Sequence, residues 1–337
     1  MSIKPNVLLV NPAPSLIKYG MKYGFEKNGC NVILLEEIMH MKNNDAKISL
    51  IKETIEKHNI DLLFCEYYAV LPLRDISNLC KEKNVQFHYW AIEDPVTPHC
   101  GNHMVTQKYI DFIWTTTIEF IPKYIEMGTP SDLLLFGCNP EILPEDESPE
   151  FKHDISLVGS NYSNRYDKVR DFLFPLIRDN FDLQVYGIWW MNPKLPINLC
   201  KCPQFYWKKE GDHALPYQWL PKVVNSSKIM FGLNCQTDMS VTQTSCRPYE
   251  TLSCSKNSVY LSWYTEAQNK IFGNYVFQAK CGEELVAMAR NILNMSDEER
   301  IDMATKAREY VHKCHDYKLR AKQVIDKFVE LRTTKGV

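Results

Sequence analysis

The chain has 337 residues, 45% of them apolar and 24% charged, with a formal charge of −2. That length suits two domains of ordinary size, and that balance excludes a disordered chain, because it supplies enough apolar side chain to fill real cores. The lack of a large basic block argues against a protein that grips nucleic acid through concentrated positive charge.

The twelve cysteines are irregularly spaced and sit in apolar runs such as Leu62-Leu63-Phe64-Cys65. No stretch reaches the roughly 18 to 20 apolar residues of a membrane span. The start runs straight into a strand pattern rather than a signal sequence. The expectation is a cytoplasmic protein with reduced, buried thiols.

Asn6-Val-Leu-Leu-Val10 is a continuous apolar run ending in Asn11-Pro-Ala-Pro-Ser15, the pattern of a buried parallel strand and a loop. A helix is expected over 16–28, with Gly29 as the residue that closes it. Strands are expected over 31–35, 61–65, 85–91, 112–115 and 133–136, with helices over 46–59 and 73–84. This βαβ alternation implies a parallel sheet and a first domain over 1–148. The Pro- and acid-rich stretch 139–150 reads as an inter-domain linker.

A second alternation follows. Strands are expected over 154–158, 183–186, 228–233 and 258–261. Helices are expected over 166–178, 221–226, from 248 onward, and over 283–295, 297–312 and 316–331. The stretch 189–217 is irregular and rich in aromatics. The second domain spans 149–315, and 316–337 is a terminal helix, expected to pack back on the first domain. Ligands of open α/β sheets bind beyond the carboxyl ends of the strands.

Four places carry candidate chemistry. Glu93 and Asp94, ahead of Pro95, stand at the end of an apolar strand, which suits a general base or a group that holds substrate hydroxyls. The same pair also fits a solvated turn or a helix N-cap. Gly159, Ser160 and Asn161 follow another strand, with Arg165 at the start of a helix, a pattern that offers amide groups and a guanidinium to phosphate. An ordinary turn with a surface Arg fits equally. Lys228 and Asn234 bound a third strand. Arg247 and Glu250 open a helix, where an Arg neutralises a diphosphate and a carboxylate accepts from ribose hydroxyls. A first-turn Glu also pairs well with the helix dipole alone. His99, Cys100 and His103 lie together, as do Cys200 and Cys202, but neither group has the four ligands a zinc site needs, so no metal is expected.

At these residues the chain resembles the CgeB family of spore maturation proteins, related to group 1 glycosyltransferases. The run Tyr89-Trp-Ala-Ile-Glu-Asp-Pro95 resembles a family signature. Further segments follow in the family's order: Phe136-Gly-Cys-Asn-Pro140, Asp154-Ile-Ser-Leu-Val-Gly-Ser160, Val185-Tyr-Gly187, Asn225-Ser-Ser-Lys-Ile229, Arg247-Pro-Tyr-Glu-Thr-Leu252 and His315-Asp-Tyr317. The likeness spans about residues 85 to 320. It implies an α/β protein of GT-B fold: two Rossmann-like domains facing across a cleft, with a nucleotide-sugar donor, UDP-linked first of all, in the second. It implies that Glu250 holds the donor ribose, that Arg165, Lys228 and Arg247 meet the diphosphate, and that Tyr186, Gly187 and Trp189 lie near the base. It implies Glu93 and Asp94 beside the transferred sugar, no permanent cofactor, a metal-independent and retaining reaction, and a hydroxyl acceptor on a glycan, protein or small molecule. Where the family tends to have Cys-Gly-Gly, this chain has Cys254-Ser-Lys-Asn257, so Lys256 is a further phosphate candidate. The rival readings are a nucleotide-sugar epimerase of the same plan, a non-catalytic sugar-nucleotide-binding scaffold, and a first domain acting as a flavodoxin-like regulatory module.

Overall fold

The computed structural model describes residues 4–10, 16–39, 41–66, 71–92, 94, 107–161, 165–187, 190, 217–233 and 240–334. The chain divides into two α/β units, one of residues 1–137 with 316–337 and one of residues 138–315.

The first unit holds one parallel sheet of β1 (Asn6–Val10), β2 (Asn31–Leu34), β3 (Leu62–Glu66), β4 (Gln86–Ala91), β5 (Phe112–Thr115) and β6 (Ser131–Leu133). Their order is β2-β1-β3-β4-β5-β6. Its helices are α1 (Leu16–Lys27), α2 (Asn44–His58), α3 (Leu73–Glu82) and α4 (Ile121–Glu126). Successive strand residues face opposite ways. Leu8, Leu63 and Phe87 therefore join Ile51, Ile55 and Ile76 of α2 and α3 in one core cluster. Phe64 points to the other face, with its ring 5.8 Å from Phe25 of α1 and 6.2 Å from Trp90. Burial on both faces is why β1 and β3 read as unbroken apolar runs.

The second unit has β7 (His153–Val158), β8 (Leu183–Tyr186), β9 (Ser227–Gly232), β10 (Val259–Trp263) and β11 (Phe277–Ala279), all parallel, in the order β11-β10-β9-β7-β8. Helix α5 runs as Tyr166–Lys168, a π-helical turn Val169–Leu173, and Phe174–Arg178. It is followed by α6 (Leu220–Asn225), α7 (Arg247–Cys254), α8 (Glu266–Phe272), α9 (Gly282–Leu293) and α10 (Asp297–His315). Three helices hand over to the next element through a left-handed Asn: Asn59 (φ 49°), Asn84 (φ 55°) and Asn180 (φ 56°). The residue after each donates back into the last turn, Ile60 N to Ile55 O at 3.1 Å and Val85 N to Cys80 O at 2.8 Å, which satisfies carbonyls the helix end leaves open.

The last helix, α11 (Tyr317–Thr334), belongs to the first unit. Gly20 and Gly24 make room for it: a Cβ on Gly20 would overlap the Tyr317 ring, and one on Gly24 the Tyr317 carbonyl. Tyr23 OH donates to Asp316 at 3.2 Å, Asn28 Nδ2 to Lys318 O at 2.8 Å, and Arg320 Nε to Phe136 O at 3.0 Å.

The segment 139–150, expected as a linker, is part of the second unit, so the division falls after Gly137 rather than after residue 148. Its acidic residues have cationic partners there: Glu145 with Lys222 (3.4 Å) and Asp146 with Lys256 (2.7 Å), while Ser148 N donates to Ser226 Oγ at 2.8 Å. The sixth strand is Ser131–Leu133, not 133–136. Its partner β5 stops at Thr115, opposite Leu133. The apolar run beyond has only one ladder bond left to make, Leu134 N to Thr115 O at 2.8 Å. Strand β11 and helices α4 and α8 went unread in the sequence. Among the described residues, no helix is long and apolar enough to cross a membrane.

In both sheets the first strand lies inside, with the second on one side and the third on the other. The winding therefore reverses between β1 and β3, and again between β7 and β9. The crevice beyond the carboxyl ends at such a reversal is where open α/β sheets take ligands.

Candidate functional site

In the second unit the reversal is built from the ends of β7 and β9. Strand β7 gives way to Gly159, Ser160 and Asn161. Gly159 N donates to Tyr186 O at 2.9 Å. Gly187 (φ 147°) lies so close that a Cβ on it would overlap Gly159 O, and Trp190 Nε1 donates to that same oxygen at 2.6 Å. The ends of β7 and β8 are thereby pinned together. Arg165 folds back over this pinned turn. Its Nη1 donates to Ser160 O at 2.8 Å and stands 2.8 Å from where a Cβ on Gly159 would be. A Cβ at 159 would press on the tip of that side chain, which would have to shift.

Across the crevice, β9 ends at Gly232 and α7 begins with Arg247 and Pro248, a position that tolerates the missing N–H of proline. Arg247 Nη1 lies 2.8 Å from Glu250 Oε2, one turn apart, with side chains 26% and 6% exposed. Burial alone would lower the Arg247 pKa, but Glu250 and the neighbouring thiol and phenol groups hold it above its ordinary value. Burial pushes the Cys254 thiol up to about 12, and burial with Glu250 pushes Cys246 higher. The thiols are therefore neutral, and the pair carries the local charge.

Tyr260 of β10 is fully buried. Its hydroxyl occupies the space a Cβ on Gly232 would need. Burial raises its pKa far above the ordinary phenol value, and Arg247 and Arg165 both pull the other way. The sequence reading missed this residue and Gly232, because the spacing between them appears only once β9 and β10 are in register.

In the first unit, Asp94 is 3% exposed. Its Oδ2 accepts from Thr115 Oγ1 at 2.9 Å and Tyr124 OH at 2.8 Å, and its backbone oxygen accepts from Thr117 Oγ1. Burial raises its pKa to about 6, against the pull of the Tyr124 and Thr115 hydroxyls and of Lys123. A general base must reach the proton it removes. Asp94 instead ties the end of β4 to β5 and α4, so its geometry is that of a positioning group rather than the expected catalytic one. Glu66, the last residue of β3 and 1% exposed, is a buried carboxylate at the first sheet's reversal that the sequence reading passed over.

Residues 165–326 match the model of a family described as glycosyl transferase-like. No curated protein sequence matches the chain. Among solved structures, Anabaena HepE in complex with UDP and glucose aligns with a TM-score of 0.64 at 9% identity, over 97% of this chain and 100% of its own. Sucrose-phosphate synthase from Thermosynechococcus elongatus aligns with a TM-score of 0.65 at 9% identity, over 98% and 100%. UDP-GlcNAc 2-epimerase from Neisseria meningitidis, bound to UDP-GlcNAc, aligns with a TM-score of 0.51 at 13% identity, over 96% and 100%. The fold is GT-B.

Of the residues expected in the site of this GT-B chain, the structure gathers Gly159, Ser160, Arg165, Arg247 and Glu250 at the carboxyl edge, with the buried Asn161 beside them. It does not bring Lys228 there. Lys228 stands at the amino end of β9, where its Nζ pairs with Asp154 at 2.9 Å. Lys256 follows the carboxyl end of α7, not its start, and pairs there with Asp146. Tyr186 is a core residue, edge-on to Phe151 at 5.9 Å. Gly187 acts on the backbone of Gly159. Glu93, Trp189, Asn234, His99, Cys100, His103, Cys200 and Cys202 lie outside the described residues. Among the described residues, no group of three or more His, Cys, Asp or Glu side chains is placed to hold a metal.

Proposed function

We propose that the protein is a glycosyltransferase that moves a sugar from a UDP-linked donor to a hydroxyl acceptor. The observation that carries this reading is that Arg165, after β7, and the Arg247–Glu250 pair, after β9, follow the two strands between which the winding of the second sheet reverses, and that all three act electrostatically on Tyr260. Two cations and one carboxylate suit a nucleoside diphosphate, whose pyrophosphate is anionic and whose ribose offers hydroxyls. The likeness to HepE, solved with UDP and glucose, supports a UDP-linked donor.

In the reaction, the bond between the sugar and the diphosphate breaks as the acceptor hydroxyl attacks, and the hydroxyl's proton passes to the departing diphosphate. Negative charge grows on the departing phosphate, and Arg165 and Arg247 offset it. Such fixed charges stabilise a transition state without having to reorganise. Glu250, its carboxylate oriented by Arg247, accepts from the ribose hydroxyls. The second unit is the donor side and the first unit the acceptor side. Asp94 there ties the end of β4 to β5 and α4 through Thr115 and Tyr124. The resemblance to the CgeB family extends the proposal to a metal-independent, retaining transfer in the cytoplasm, serving spore or cell-surface glycans.

The likeness to an epimerase bound to UDP-GlcNAc favours a second reading, in which the nucleotide sugar is isomerised with no acceptor. Product analysis separates the two. The proposal is tested by a thermal-shift screen of UDP-, GDP- and TDP-sugars with and without Mg²⁺. A shift with a UDP-linked sugar, independent of Mg²⁺ and lost in Glu250→Ala, is expected. No shift with any nucleotide sugar would overturn it.

A further inference from the structure

We propose that Tyr260 is a positioning residue of the donor site, its hydroxyl setting the Arg165 and Arg247 guanidiniums against the donor pyrophosphate. This assignment rests on the donor-site reading above and deepens it.

The placement follows from strand alternation. In β10, Val259, Leu261 and Trp263 enter the core cluster on one face of the sheet, and in β9 Ile229 and Phe231 do the same. Tyr260, Met230 and Gly232 therefore share the opposite face. Across the ladder Tyr260 pairs with Met230, and Gly232 pairs with Ser262. The tyrosine leans two residues along the strand, toward the carboxyl edge, and its hydroxyl ends over the Gly232 Cα. Any other residue at 232 would drive the phenol out. Glycine weakens a strand interior and commonly marks a site of close approach. Here it admits one hydroxyl to the edge where the two arginines stand.

The chemistry fits that position. Arg165, Arg247 and Glu250 all act electrostatically on the Tyr260 hydroxyl, so it lies within reach of two cations and one anion. A neutral phenol accepts from a guanidinium and donates one O–H, which neither an arginine nor a carboxylate does. It can therefore stand between two like charges and hold their guanidiniums in place from beneath. Phenylalanine would keep the packing and lose both functions.

The experiment titrates UDP and uridine into wild-type protein, Tyr260→Phe and Gly232→Ala, with ligand-detected NMR for the weaker ligand. Tyr260→Phe is expected to bind UDP about tenfold more weakly, the loss typical of one hydrogen bond to a charged group. Its uridine affinity and melting temperature should stay those of the wild type. Gly232→Ala, which expels the ring, should lose at least as much UDP affinity. Tyr260→Phe that binds UDP like the wild type, or that loses UDP and uridine equally, would overturn the assignment alone. Wild-type protein that binds no UDP would overturn the donor-site reading, and the assignment with it.

Discussion

Asp94→Asn separates two roles for the carboxyl at the end of β4. Asp94 has a pKa of about 6 in the folded chain, against an ordinary 3.8, chiefly through burial. The folded state holds that proton more tightly than the unfolded state. Protonated Asp94 therefore stabilises the fold fully below about pH 4, and that contribution is lost as the pH rises through about 6. At about 1.4 kcal/mol per pH unit, a shift of roughly two units amounts to about 3 kcal/mol as an upper bound. Asparagine still accepts from Thr115 and Tyr124 but has no charge to bury. Wild type and variant should be equally stable near pH 4, and the variant should lead by about 1–3 kcal/mol at pH 8. Urea unfolding of both proteins across that range measures the gap. A gap that does not change with pH would refute the reasoning. Sugar transfer should survive in Asp94→Asn, whereas its abolition would restore Asp94 to a direct catalytic role.

Two substitutions test the packing that supports the sites. Gly24→Ala would favour α1 by about 1 kcal/mol in isolation, but its methyl would overlap the Tyr317 carbonyl. A net loss of about 1–3 kcal/mol is expected, and a stabilised variant would show that α11 does not dock there. Gly187→Ala combines a positive φ with an overlap on Gly159 O, so it should lower the melting temperature and weaken UDP binding together. Unchanged UDP affinity would separate Arg165 from the pinned turn.

Much of the fold was legible because its physics is local. Continuous apolar runs marked β1 and β3 as strands buried on both faces, and the alternation of strands with helices implied two parallel sheets. Asn59-Ile60, Asn84-Val85 and Asn180-Phe181 are helix stops readable from residue type alone. What stayed hidden depended on partners distant in sequence. The run 133–136 looks like a strand until its neighbour β5 ends. The acidic stretch 139–150 looks like a linker until Lys222 and Lys256 are found beside it. In the candidate site, the placement of Arg165, Arg247 and Glu250 beyond the carboxyl ends of strands was legible from strand–loop–helix context. Lys228 was misplaced because its residue type outweighed its position at the amino end of a strand, the edge where ligands do not bind. Tyr260 required the register of β9 against β10.

The central claim is that the pyrophosphate binds at the carboxyl edge of the second sheet, and calorimetric titration of UDP into Arg165→Ala and Lys228→Ala tests it most directly. Arg165→Ala should lose at least tenfold in affinity, as removal of a charge-assisted contact does. Lys228→Ala should bind like the wild type, because it gives up only a half-exposed ion pair at the opposite edge. The reverse result, with Lys228 required and Arg165 dispensable, would contradict it.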